Sequence, residues 1–185
     1  MKGSFPSCFF FALFFVFAVA TTPPAHASHE RRIDFILGNG TSDNITSGPD
    51  EGKGGGGYLF LFQVADTAIL PENVRLHAGT IERKGDTWNV VGADYVLQSH
   101  WGEAAGCGTT CPWVEVGYGL SYFNERTHNL SARAELHLVV RAGTSIGKHG
   151  QVGWGFDHWS TGGLWGERAE NRGETFFLWS FGLAF

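Results

Sequence analysis

Eight segments of this chain alternate apolar and polar side chains with a period of two. That pattern dictates extended backbone, because successive side chains of a strand point to opposite faces of a sheet. The segments lie near residues 32–39, 58–65, 73–83, 87–98, 113–123, 132–143, 149–160 and 174–185. In the sixth, Ala134, Leu136, Leu138, Val140 and Ala142 oppose Glu135, His137 and Arg141. In the last, Thr175, Phe177, Trp179, Phe181, Leu183 and Phe185 share one face. Beyond residue 27 no apolar run approaches the ~18–20 residues of a spanning helix.

Half-apolar strands suit a soluble sandwich or a membrane barrel. Length favours the barrel: most segments are about 9–12 residues, enough for a tilted bilayer crossing of ~9–11 residues and longer than the usual ~5–6. The polar faces carry glycine and charges of both signs, as a narrow filled lumen needs, and Arg133, Glu135, Arg141 and Asp94 are expected to pair there. Glycine (27 residues) and aromatics (15%) fit β-structure and exclude coiled coils and bundles. Lipid offers no partners to open backbone edges, so the sheet must close, and eight strands make the smallest common closed barrel. The expected fold is all-β, an eight-stranded antiparallel transmembrane β-barrel of the outer-membrane type.

Residues 1–27 read as a secretory signal peptide. Lys2 supplies a positive charge, 8–20 (CFFFALFFVFAVA) is uninterruptedly apolar or small, and Ala25-His26-Ala27 is a cleavage pattern. Residues 28–185 form the expected barrel domain. Export implies an oxidising compartment, so Cys107 and Cys111 are candidates for a small loop disulfide rather than a metal pair. With both termini periplasmic, the stretch 99–112 is an unusually long periplasmic turn, while 83–86 makes a short outer one. A net charge of -5 gives no nucleic-acid footprint.

The most informative stretch is VGWGFDHWSTGGL, residues 152–164. If Val152, Trp154 and Phe156 face lipid, period two carries His158 and Ser160 onto the same outward face, at headgroup depth. Two residues on a strand span ~6.5 Å, so an imidazole reaches a hydroxyl, the minimum for activating a serine nucleophile. An H-x-S triplet alone is weak evidence, since His, Trp and Ser also decorate barrel rims.

HWSTGGL, a loop, then NRGE and a final aromatic strand together resemble the C-terminal third of the PagL-type lipid A 3-O-deacylases. The match in motif covers about residues 156–174. The resemblance implies an outer-membrane ester hydrolase that removes the 3-O acyl chain of lipid A with a Ser/His/acid triad on the bilayer-facing surface. It makes Ser160 the nucleophile and His158 the base, and it sets Gly163, Leu164, Asn171 and Gly173 in the surrounding pattern. Thr161, Gly163 and Asn171 become the expected oxyanion or substrate-positioning residues. Two departures stand out. Thr161 replaces the family's Asn after the serine, and the family's acid falls four residues after the Asn, which here is Thr175. Glu174 is the expected acid, with Glu170 as the alternative. Strict alternation from Phe185 turns Glu174 inward, so it reaches His158 only through a bulge at Gly173.

The expected partners are lipid A or lipopolysaccharide in the outer leaflet and the surrounding membrane lipids, with no nucleic acid and with a homodimer left open. No cofactor or metal is expected; His77, His100, His128, His137 and His149 are scattered and read as interior or loop residues. Three other readings stand beside the esterase. The first is a structural or adhesive barrel, and the second a soluble β-sandwich. The third, an acyltransferase barrel, is disfavoured by the charges expected inside.

Overall fold

β-Branched and aromatic residues at every second position, with glycine or charge between them, build strands whose two faces meet different solvents. The computed structural model describes residues 31–40, 57–66, 68–100, 110–127, 129–162, 164–165 and 173–185. It contains β1 (Arg31–Gly40), β2 (Gly57–Asp66), β3 (Val74–Arg83), β4 (Asp86–His100), β5 (Thr110–Phe123), β6 (Ala134–Ile146), β7 (Gly150–Ser160) and β8 (Glu174–Ala184). Each strand pairs antiparallel with its sequence neighbours, and β1 pairs with β8 to close the barrel. Closure leaves no open edge. Among the described residues no helix is long and apolar enough to cross a membrane. The expected leader, 1–27, lies outside the described residues.

The outward row is apolar, as the alternation requires. Phe35, Leu37, Phe60, Leu76, Val91, Tyr118, Leu120, Trp154, Phe177, Trp179 and Phe181 are all exposed. This is a lipid-facing surface, since a water-soluble barrel would leave a large apolar area in contact with solvent.

The lumen is filled by two kinds of packing. Towards the end that carries the β7–β8 connection, Ile36, Leu59, Ile81, Trp88, Val90, Phe123, Trp159, Phe176 and Leu178 form an apolar plug. Towards the other end the filling is ionic. Arg32 bonds Asp34 (2.9 Å), Arg75 bonds Glu115 (2.7 Å), and Arg141 bonds Asp157 (2.7 Å) and Glu115 (3.2 Å). Charges this deep are stable only when each finds a partner of opposite sign. Two sequence expectations are corrected here. Arg133 is not an interior residue: it precedes β6, is exposed, and bonds Tyr122. Asp94 pairs with His77 and His137 rather than with an arginine.

β4 and β5 run further than the alternation indicated, because the β4 ladder with β5 continues to His100↔Trp113 and the β5 ladder with β6 to Thr110↔Ile146. The long connection between them shrinks to 101–109, outside the described residues. Cys111 is disulfide-bonded; Cys107, its expected partner, lies outside the described residues.

Candidate active site on the outer face of the barrel

Outward-facing alternation on β7 runs Val152, Trp154, Phe156, His158 and Ser160, and the inward row is Gln151, Gly153, Gly155, Asp157 and Trp159. His158 and Ser160 therefore stand on the lipid-facing side, both half-buried. Trp159 between them fixes this orientation. Its indole N–H donates to Ser121 Oγ (2.8 Å), its ring stacks on His137 (4.3 Å between centroids, 2° between planes), and it is fully buried. Rotating the strand to bury His158 would pull this indole out of the apolar plug.

The neighbouring strands complete the site. In register, His158 lies between Leu138 of β6 and Thr175 of β8, and Ser160 lies beside Leu136. His158 Nδ1 is 2.7 Å from Thr175 Oγ1. After Ser160 the chain turns: the Gly162 N–H donates to Ser160 Oγ (3.1 Å) and the Leu164 N–H to the Thr161 carbonyl (3.0 Å). The Trp165 indole N–H donates to the Ala134 carbonyl (2.7 Å), tying the turn to β6. Gly162 adopts φ 59° and Gly173 φ 75°, left-handed values that suit glycine. At Gly173 the demand is also steric, since a Cβ there would sit 2.6 Å from His158 Cε1.

The expected acid is elsewhere. The β7–β8 ladder runs unbroken from Gly150↔Leu183 to Trp159↔Glu174, so no bulge reverses Glu174. Its carboxylate faces the lumen, 2.9 Å from Arg83 Nη2, and accepts from Thr127 Oγ1 (3.2 Å). The expectation that Glu174 orients His158 is thereby corrected, and Thr175 occupies that position. Thr161, expected as an oxyanion donor, is fully buried. Gly163, Glu170 and Asn171 lie outside the described residues.

Sequence reading missed one constellation entirely. Asp94 accepts from His77 Nδ1–H (2.8 Å) and His137 Nδ1–H (2.8 Å) inside the barrel, and His77 Nε2 is 2.9 Å from Ser121 Oγ. Strand order brings β3, β4, β5 and β6 side by side, which no linear spacing reveals. These ligand-type atoms lie within 4.8 Å of one another, but both Asp94 oxygens and both Nδ1 atoms already hold one another by hydrogen bonds.

With the geometry in place, the comparisons with known proteins decide the family. The sequence profile described as "Lipid A 3-O-deacylase (PagL)" matches residues 73–184, β3 to β8 and more than half of the chain. The chain belongs to the PagL family. It is an outer-membrane lipid A deacylase, an ester hydrolase whose substrate lies in the membrane that surrounds it. The crystal structure of the outer membrane enzyme PagL superposes with a TM-score of 0.57 at 17% identity, covering 82% of this chain and 97% of that one. The crystal structure of Neisserial surface protein A superposes with 0.52 at 10% identity, covering 86% and 98%. At such identities both likenesses speak to the barrel alone. No curated protein sequence matches the chain.

Proposed function

We propose that this PagL-family barrel hydrolyses the 3-O acyl ester of lipid A with Ser160 as nucleophile and His158 as general base, on the face turned to the bilayer. The observation that carries the reading is the outward pair itself. A His and a Ser continue a lipid-facing apolar stripe, where buried polar groups have no packing purpose and an ester in the outer leaflet would meet them.

In the first step His158 takes the proton of Ser160 and Oγ bonds to the acyl carbonyl carbon. The tetrahedral intermediate expels the sugar oxygen, which receives the proton from His158. In the second step His158 deprotonates a water that attacks the acyl carbon; the C–Oγ bond breaks, the fatty acid leaves and Ser160 regains its proton. The Gly162 N–H, now on Ser160 Oγ, is the candidate oxyanion donor once Oγ is acylated. Gly163 and Asn171 keep substrate-positioning roles on the strength of the motif.

The hydrocarbon has a place to lie. A shallow apolar groove of about 550 Å³ runs over β1, β7 and β8, lined by Leu37, Trp154, Phe177 and Trp179 among others. Trp154 is four residues from His158 on the same face, ~13 Å down the strand. An acyl chain whose ester sits at Ser160 would extend along that groove into the membrane. The test is mass spectrometry of lipid A from cells expressing the wild type or Ser160→Ala. The wild type should lose one hydroxyacyl chain and the variant none; identical lipid A in wild type and empty vector ends the proposal.

A further inference from the structure

We propose that Thr175 is the positioning residue of this site. Its hydroxyl, in place of a carboxylate, holds His158 in the tautomer that leaves Nε2 as base for Ser160. The inference rests on the Ser160/His158 reading above.

Three observations converge. First, Thr175 is directly opposite His158 in the β7–β8 ladder, and Oγ1 is 2.7 Å from Nδ1. Second, Thr175 is only 3% exposed, so water competes weakly for this bond. Third, Gly173 lies close to the Cε1–Nε2 edge of the ring, where an added Cβ would meet Cε1 at 2.6 Å and Nε2 at 3.2 Å. The imidazole is wedged between a hydroxyl and a bare backbone, and its direction follows from both. The one acid adjacent to Thr175 in sequence is committed to Arg83 and Thr127 inside the barrel.

A hydroxyl can do this task because its oxygen accepts hydrogen bonds. Accepting from Nδ1–H fixes the proton on Nδ1 and leaves the Nε2 lone pair for Ser160. An amide in such a place can donate to Nδ1 and lock the wrong tautomer, at a cost of about 10⁴ in kcat in a serine protease. What a hydroxyl lacks is net charge, so the imidazolium formed when Ser160 is deprotonated gains no ion pair. The outward neighbours of His158 are Phe156 and Ser160 on its own strand, Leu138 from β6, and Thr175 and Gly173 beside β8, none of them charged. The titratable groups of the adjoining rows, Asp157 and His137, face the lumen. A carboxylate introduced at 175 would therefore be the first negative charge among these outward neighbours.

The test uses the full-length barrel purified in detergent with lipid A as substrate. Thr175→Val keeps the shape and removes the hydroxyl; kcat should fall about tenfold, the worth of one shielded hydrogen bond, while KM stays within about twofold. Thr175→Ser should recover most of the loss. Thr175→Asp should move the acidic limb of the kcat/KM profile to higher pH, because a neighbouring carboxylate favours the imidazolium and the base is then lost at higher pH. Ring-¹⁵N spectra of wild-type His158 should show the Nδ1–H tautomer, and those of Thr175→Val a mixture. A Thr175→Val enzyme as fast as wild type, a Ser variant as slow as the Val variant, or an Nε2–H tautomer in the wild type overturns the inference. If wild type and Ser160→Ala are equally inert, the esterase reading fails instead, and the ¹⁵N spectra still decide what Thr175 does.

Discussion

Two serine–histidine pairs occupy this barrel, one on each side of the same wall. Inside, Ser121, His77 and Asp94 are aligned at 2.9 and 2.8 Å, the spacing of a catalytic relay complete with its acid. Outside, the group at His158 Nδ1 is a threonine hydroxyl rather than a carboxylate. By alignment alone the inner set is the better triad. Yet it is sealed: Ser121 is fully buried and its oxygen also accepts from the Trp159 indole. The outer set is imperfect and faces the lipid. On the proposed reading, the difference teaches that access to substrate, and not hydrogen-bond alignment alone, separates an active site from packing. Trp159 links the two, since the indole that occupies the inner serine sits between the outer histidine and the outer serine in the chain.

That contrast can be broken most forcefully at the outer serine. Ser160→Ala should cost at least about 1,000-fold in lipid A deacylation, and His158→Ala should match it, because members of such a unit fail together. Comparable activity in either variant would move the chemistry elsewhere, with the inner set the first place to look. Gly173→Ala should rank next. The new Cβ collides with His158 and the residue must hold φ 75°, so a drop on the order of 100-fold is expected from the displaced ring. The barrel itself should survive, as judged by heat-modifiable migration on gels. Ser121→Ala should leave deacylation within about twofold of wild type while lowering stability by ~1–3 kcal/mol, because the indole N–H loses its acceptor; a collapse of activity in a folded protein would show that the inner relay takes part. Glu174→Gln should have the smallest catalytic effect, since the carboxylate serves Arg83, and its signature should be a lower unfolding temperature.

The fold was legible to within about three residues at each strand end, because period two is a strong signal when one face meets hydrocarbon. β7, read as 149–160, is Gly150–Ser160, and the start of β8 at Glu174 was met. The outward placement of His158 and Ser160 followed from counting along a single strand. What could not be counted was pairing between strands. Whether Glu174 or Thr175 opposes His158 depends on β7–β8 register, and a single bulge would have exchanged them. The His77–Asp94–His137 cluster depends on three such registers at once. Arg133 was misplaced for a related reason: alternation gives a side for every residue but does not say where a strand begins, and β6 begins after it.

The filled lumen sets where each reactant enters. Among the described residues an apolar plug fills one end of the cylinder and an arginine–carboxylate lattice the other. On the proposed mechanism, the hydrolytic water of the second step would reach Ser160 from the aqueous boundary at the rim, while the ester would come in from the side. Turnover there would be a meeting of two phases at one edge of the wall.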